Sequence, residues 1–153
     1  MPIVETNILI NAPAITIFDT MVDPESIPKW APIDYVSNIK GNPGEIGSSA
    51  DYALADYKLL LFRVNVTQTM TVVEVDSPHK IVYQMEGGFP GKWTYILKTE
   101  RNGVRVNTEV HYTVRYGLIG RIANKALIYR MHQKKTEEFA TGLKAFCESM
   151  FAT

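Results

Sequence analysis

The sequence predicts an α+β fold: a curved antiparallel sheet of about seven strands around one long C-terminal helix, with two short helices after the first strand. Three observations predict it. Six strand-like segments follow one another between residues 35 and 116, two proline-marked helix starts lie between residues 11 and 30, and a proline-free helical periodicity runs from Leu118 to about Phe151.

Residues 2 to 10 alternate around Ile3, Glu5, Ile8 and Ile10, the pattern of a half-buried strand. Asn11-Ala12-Pro13-Ala14 then has the form of a helix start with proline in the first turn, opening a short helix to about Met21. Asp23-Pro24-Glu25 repeats that chemistry, with Asp23 as the cap and Pro24 at the first helical position; the prolines after Ile27 stop this second helix near Trp30. Strands are expected at Tyr35 to Ile39, Ser48 to Ala55, Leu59 to Val75, Lys80 to Glu86, Lys92 to Glu100 and Val104 to Tyr116. Their separators carry turn chemistry: Gly41-Asn42-Pro43-Gly44, Asp76-Ser77-Pro78, Gly87-Gly88-Phe89-Pro90-Gly91, and Asn102-Gly103, the strongest hairpin signal. Sequential antiparallel pairing is the simplest topology for such a series.

In the C-terminal segment, Ile122, Lys125, Tyr129, His132, Thr136, Phe139, Leu143, Phe146 and Met150 share one face at ~100° per residue. Arg130, Lys134, Glu137, Glu138 and Glu148 take the other side. A helix of this extent is ~45 Å long, enough to cross a sheet. Its inward face divides in two. Phe139 to Met150 is apolar and suited to sealing against the sheet, whereas Lys125, Tyr129, His132 and Thr136 place polar groups in line. Buried polar groups cost free energy unless partnered, so this half implies a wet cavity, a ligand, or an overhang into solvent.

Strand alternation puts Phe62, Val64, Val66, Gln68 and Met70 on one face, Trp93, Tyr95 and Leu97 on another, and Tyr83 and Met85 on a third. Where these faces meet, the interior is aromatic and phenolic, as ligand pockets are. Candidate ligand-binding residues are therefore Tyr52, Val64, Gln68, Tyr83, Trp93, Tyr95, Tyr112, Tyr129, His132 and Thr136.

Composition narrows the function classes. With 153 residues, 46% hydrophobic and 21% charged, the chain reads as one soluble globular domain over 1–153, burying roughly two-thirds of its unfolded surface. Sixteen basic residues balance sixteen acidic ones, so no net field draws nucleic acid. Cys147 is the only cysteine, which rules out an intrachain disulfide and fits a reducing cytoplasm. The N-terminus has no signal-peptide pattern, and no apolar run approaches the ~18 residues that span a bilayer.

His79, His111 and His132 stand apart, without the paired spacing a metal site needs, and no phosphate loop, nucleophile elbow or dinucleotide fingerprint is present. No cofactor is expected. His132 is a candidate acid or base if it faces the cavity. Arg115, Arg121, Lys125, Arg130, Lys134 and Lys135 precede the first acidic residue of the helix, Glu137, against the sense of the helix dipole. They make either a solvated face or a docking surface for anionic lipid or an acidic partner.

Ile8-Leu9-Ile10-Asn11-Ala12-Pro13-Ala14-Ile15-Thr16-Ile17-Phe18-Asp19, followed by Asp23-Pro24-Glu25-Ser26-Ile27-Pro28-Lys29-Trp30, resembles the opening strand and first two helices of the START-like (SRPBCC) superfamily. Polyketide cyclases/dehydrases, coenzyme Q-binding proteins and the birch-pollen allergen belong to it. Gly117-Leu118-Ile119-Gly120-Arg121 before the long helix is also similar to cyclase-like members, and the resemblance covers essentially the whole chain. It implies a helix-grip fold with a deep cavity for hydrophobic molecules, and places Trp30 near the cavity mouth. It carries over no catalytic motif. The expected function is binding or carriage of a small hydrophobic ligand of lipid, polyketide or isoprenoid type. The alternatives are a polyketide cyclase/dehydratase-type enzyme using His132 and inward tyrosines, and a membrane- or partner-docking module acting through the basic half of the long helix.

Overall fold

The computed structural model describes residues 3–54, 58–59, 62–63, 66–113 and 125–151. Strand β1 (Ile3–Ile10) leads into helices α1 (Ala14–Val22) and α2 (Ile27–Trp30). Then come β2 (Ile33–Lys40), β3 (Ser49–Leu54), β4 (Lys58–Leu59), β5 (Phe62–Arg63), β6 (Val66–Asp76), β7 (Lys80–Gly87), β8 (Gly91–Glu100), β9 (Gly103–Tyr112) and α3 (Lys125–Ser149). Seven strands form one antiparallel sheet in the order β1-β9-β8-β7-β6-β3-β2, and β4 and β5 pair as a separate two-stranded sheet. The α+β helix-grip expectation is met, and consecutive strands pair from β6 to β9. The first strand closes onto the last, so α1 and α2 must carry the chain from one sheet edge to the other.

The structure revises several boundaries. The expected strand from Leu59 to Val75 is divided, because Lys58–Leu59 and Phe62–Arg63 pair with each other as a separate two-residue ladder and β6 begins at Val66. Asp23-Pro24 does not start a helix. The Asp23 carboxylate accepts the Glu25 N–H at 3.1 Å and its carbonyl accepts the Ser26 N–H at 3.1 Å, a side-chain-stabilised turn that delays α2 to Ile27. In the β8–β9 hairpin Glu100 pairs with Gly103, so Arg101-Asn102 form the loop and Gly103 is the first residue of the returning strand. Glycine is required there because its φ is +145° and a Cβ would lie 2.5 Å from the Ile10 carbonyl oxygen. β1 buries Val4 and Ile10 and leaves Ile3 exposed. The expected tail of the last strand, 114–116, and the expected first turns of the long helix, 118–124, lie outside the described residues.

α3 is 25 residues long, about 37 Å at 1.5 Å per residue. It lies across the sheet and is tied to its β1 edge. Lys144 Nζ donates to the Leu9 carbonyl at 2.8 Å and to Glu148 Oε2 at 2.7 Å, and Glu148 accepts the Asn11 N–H at 3.0 Å. Beneath it a core of Ile10, Ile17, Phe18, Met21, Ile81, Val106, Leu143 and Cys147 is closed to water. Each fully buried aliphatic or aromatic side chain there contributes about 1.5–3 kcal/mol. Met150, expected on the sealing face, is 49% exposed; Cys147 takes the inward position one turn earlier. No helix among the described residues is long and apolar enough to cross a membrane.

Candidate functional site

Toward the N-terminal half of α3 the core gives way to a hollow. Period-two alternation aims Tyr52 of β3, Gln68 and Met70 of β6, Tyr83 and Met85 of β7, Trp93 and Tyr95 of β8, and Val110 and Tyr112 of β9 at one space. The register makes neighbours of Tyr52 and Gln68, Met70 and Met85, Tyr83 and Trp93, and Trp93 and Val110. Met21, Ile27, Trp30, Pro32, Ile33 and Leu54 form a further wall, and His132, Lys135, Thr136 and Phe139 of α3 cover it. The surface so enclosed is almost entirely carbon.

The centre of a water-sized molecule can range over about 80 Å³ inside, and the whole hollow with its open mouth is about 790 Å³. That space admits several water-sized groups at once, and the open mouth lets an occupant extend beyond it.

Of the residues the sequence singled out, Trp30, Tyr52, Gln68, Tyr83, Trp93, Tyr95, Tyr112, His132 and Thr136 all line this space. Val64 and the Lys125 side chain lie outside the described residues. Tyr129 is 42% exposed and does not line the cavity. The reason is helical drift. The buried stripe of α3 runs through Ile128, His132, Thr136 and Ala140, rotating ~40° at each four-residue step, so its inward side near the N-terminus is that of Ile128, about 100° from Tyr129.

Sequence reasoning missed Phe89, read only as part of a turn. Its ring is 1% exposed and packs edge-on to His132, with centroids 4.3 Å apart and planes at 88°. Tyr112 packs against the same imidazole at 4.0 Å and edge-on to Phe89 at 6.4 Å. Gln68 holds Phe89 in place: its Nε2 donates to the Phe89 carbonyl and its Oε1 accepts the Phe89 N–H, both at 2.9 Å. This buried amide acts as a piece of strand, closing the β7–β8 turn over one end of the cavity. An aromatic residue between two glycine-marked corners was the available signal. At the other end Phe139 sits between Trp30, at 6.1 Å, and Trp93, at 4.9 Å.

The electrostatics follow from burial. Burial lowers the His132 pKa from 6.5 to about 4, so its imidazole is neutral at pH 7. The Thr136 hydroxyl is turned back onto the His132 carbonyl at 2.7 Å. Burial raises the phenol pKa values of Tyr52, Tyr83, Tyr95 and Tyr112 above 10, and Tyr52, Tyr83 and Tyr95 are close enough to disfavour one another's ionisation further. The Trp93 N–H opposes the rise at Tyr95 slightly without making a normal hydrogen bond to it. The Trp30 N–H and the Tyr112 hydroxyl are buried with no hydrogen-bond partner among the described residues. Among those residues no three His, Cys, Asp or Glu side chains gather as a metal site would require.

No curated protein matches the sequence. Among solved structures, the chain superposes on TTHA0849 from Thermus thermophilus with a TM-score of 0.77 at 16% identity, covering 99% of this chain and 100% of that one. It superposes on a START superfamily protein from Mycobacterium smegmatis with a TM-score of 0.76 at 14% identity, covering 97% and 98%. DynU16, a protein in the dynemicin biosynthetic locus, matches with a TM-score of 0.66 at 13% identity over 95% of this chain, which spans 47% of DynU16. At such identities these likenesses establish the fold. The sequence itself matches a family described as polyketide cyclase / dehydrase and lipid transport over residues 1–148, nearly its full length. The chain belongs to that polyketide cyclase / dehydrase and lipid transport family.

Proposed function

We propose that residues 1–153 act as one ligand-binding domain that carries a compact apolar molecule of lipid, polyketide or isoprenoid type between the sheet and α3. Trp30, Tyr52, Tyr83, Trp93, Tyr95, Tyr112, His132 and Thr136 contact it, and Gln68 shapes its end wall through Phe89. The observation that carries this reading is an apolar cavity lined by aromatic and methionine side chains, whose burial keeps its phenols and imidazole neutral at pH 7. Such a wall gains free energy by burying apolar ligand surface at about 25 cal/mol per Å². Catalysis by His132 is the second reading, favoured by its place in the wall between Tyr112 and Phe89. A base with a pKa of about 4 is poorly matched to proton abstraction at pH 7, which supports carriage over that reading.

Native mass spectrometry of protein purified without detergent tests the proposal. An apolar molecule should accompany the chain or, after extraction, a hydrophobic probe should bind one to one and raise Tm. A chain that arrives empty and whose Tm no member of a lipid and aromatic panel shifts contradicts it.

A further inference from the structure

A second, smaller hollow adjoins the cavity. It is about 270 Å³ with its mouth, and the centre of a water-sized molecule can range over about 10 Å³ within it, room for about one methyl-sized group. Val22 at the end of α1 forms one side, and Ile39 of β2, Gly44 of the turn that follows, Ala50 of β3 and Val72 of β6 form the others. Tyr52, Met70 and Tyr83 line both hollows and so form a partition between them.

The strand register explains the partition. Met70 stands between Ala50 and Met85 on the inner face of the sheet, while Tyr52, opposite Gln68, and Tyr83, opposite Val72, take two diagonal corners around it. Tyr52 and Tyr83 are buried members of the main core. Met70 is only partly buried although strands flank β6 on both sides, and it packs against both buried clusters, the one beneath the C-terminal half of α3 and the one around Phe89 and Tyr112. The surface it leaves uncovered faces the two hollows. An unbranched thioether with three rotatable bonds swings between staggered rotamers in a space where a tyrosine ring cannot turn aside. Met70 is therefore the movable member of the partition.

Building on the carrier reading, we propose that the second hollow is a subsite for the end of an unbranched apolar chain, and that Met70 determines how long a ligand the cavity accepts. A space of about one methyl group excludes a ring or a branch, and Val22, Ala50 and Val72 offer such a chain end aliphatic carbon. With Met70 in its present position the ligand stops at Tyr52 and Tyr83. Rotation of Met70 joins the two hollows and lets the chain end pass.

Propylbenzene and octylbenzene test the proposal, by tryptophan-emission titration and by isotope-filtered NOE spectra of the wild-type complex with octylbenzene. The terminal methyl of octylbenzene should give NOEs to the methyl groups of Val22 and Val72. Val72→Ile adds one methylene to the second hollow, so octylbenzene should lose about fourfold in affinity or more while propylbenzene stays within about twofold of wild type. Met70→Ala should do the reverse and favour octylbenzene over propylbenzene by about a further fourfold. Met70→Leu, close in volume but shorter, is expected to show the same trend and is the variant to read if the alanine protein does not fold. Absence of those NOEs, or equal effects of Val72→Ile on the two probes, overturns the subsite and leaves the cavity reading standing. Equal effects of the Met70 substitutions on both probes overturn the role of Met70. Failure of both probes to bind the wild-type chain counts against the subsite and against the carrier reading on which it rests.

Discussion

Replacing Gln68 by leucine tests how the cavity end is built. The amide makes two 2.9 Å hydrogen bonds to the backbone of Phe89, at a position where both residues are buried. Leucine fills similar space and strands the Phe89 N–H and carbonyl, each at a cost of about 1–3 kcal/mol. Burial of the leucine offsets part of that, about 1.5–3 kcal/mol, which leaves a net loss of roughly 1–3 kcal/mol. At about 2–4 °C per kcal/mol for a domain of this size, Tm should fall by about 2–12 °C in a far-UV circular dichroism melt. Phe89 should also leave His132 and Tyr112, seen as a loss of the ring-current shifts of their NMR resonances. A Gln68→Leu protein that melts within about 1 °C of wild type with those shifts intact refutes the clamp.

Gly142 lies inside α3, where alanine ordinarily gains about 1 kcal/mol. Here its Cβ would stand 1.8 Å from the Trp30 carbonyl oxygen, so Gly142→Ala should lower Tm and change tryptophan emission as α2 is pushed away. A raised Tm with unchanged emission contradicts that packing. For His132 the sign is fixed by a folded pKa of about 4 against 6.5: the unfolded chain binds the extra proton first, so stability falls as pH drops from 6.5 to 4. That fall is about 3 kcal/mol in wild type and should be absent in His132→Gln, compared by urea denaturation across the same pH range. The buried phenols behave in the opposite sense. Their folded pKa values are raised, so stability should decline as pH passes 10 and the unfolded chain ionises; absorbance near 295 nm from Tyr52, Tyr83 and Tyr95 should appear only with unfolding. Smooth ionisation of all eight tyrosines in the folded chain contradicts their burial.

Strand alternation and turn residues made the sheet and most of the cavity legible, because a period of two fixes which face Tyr83, Trp93 and Tyr95 take once a strand is recognised. Reading failed where tertiary geometry decides. A straight helical wheel put Tyr129 inward, but the stripe on α3 rotates along the helix, and only the sheet beneath determines that drift. The Asp23-Pro24 signal serves a helix and a turn equally well, and the turn prevails through hydrogen bonds to Glu25 and Ser26. Phe89 and Lys135 were hidden for different reasons. Phe89 reaches the site through a long-range clamp from Gln68, and Lys135 stands among lysines and arginines of the same stretch with nothing local to distinguish it.

Fluorescence titration with a series of alkylbenzenes of increasing length tests the central claim most directly. Both tryptophans of the chain, Trp30 and Trp93, line the cavity and report on its occupancy. Saturable one-to-one changes in emission are predicted, and they should be lost when Val110→Phe fills the interior of a protein that remains folded. Emission that does not respond to any member of the series, or a response that Val110→Phe leaves unchanged, contradicts an apolar ligand site between the sheet and α3.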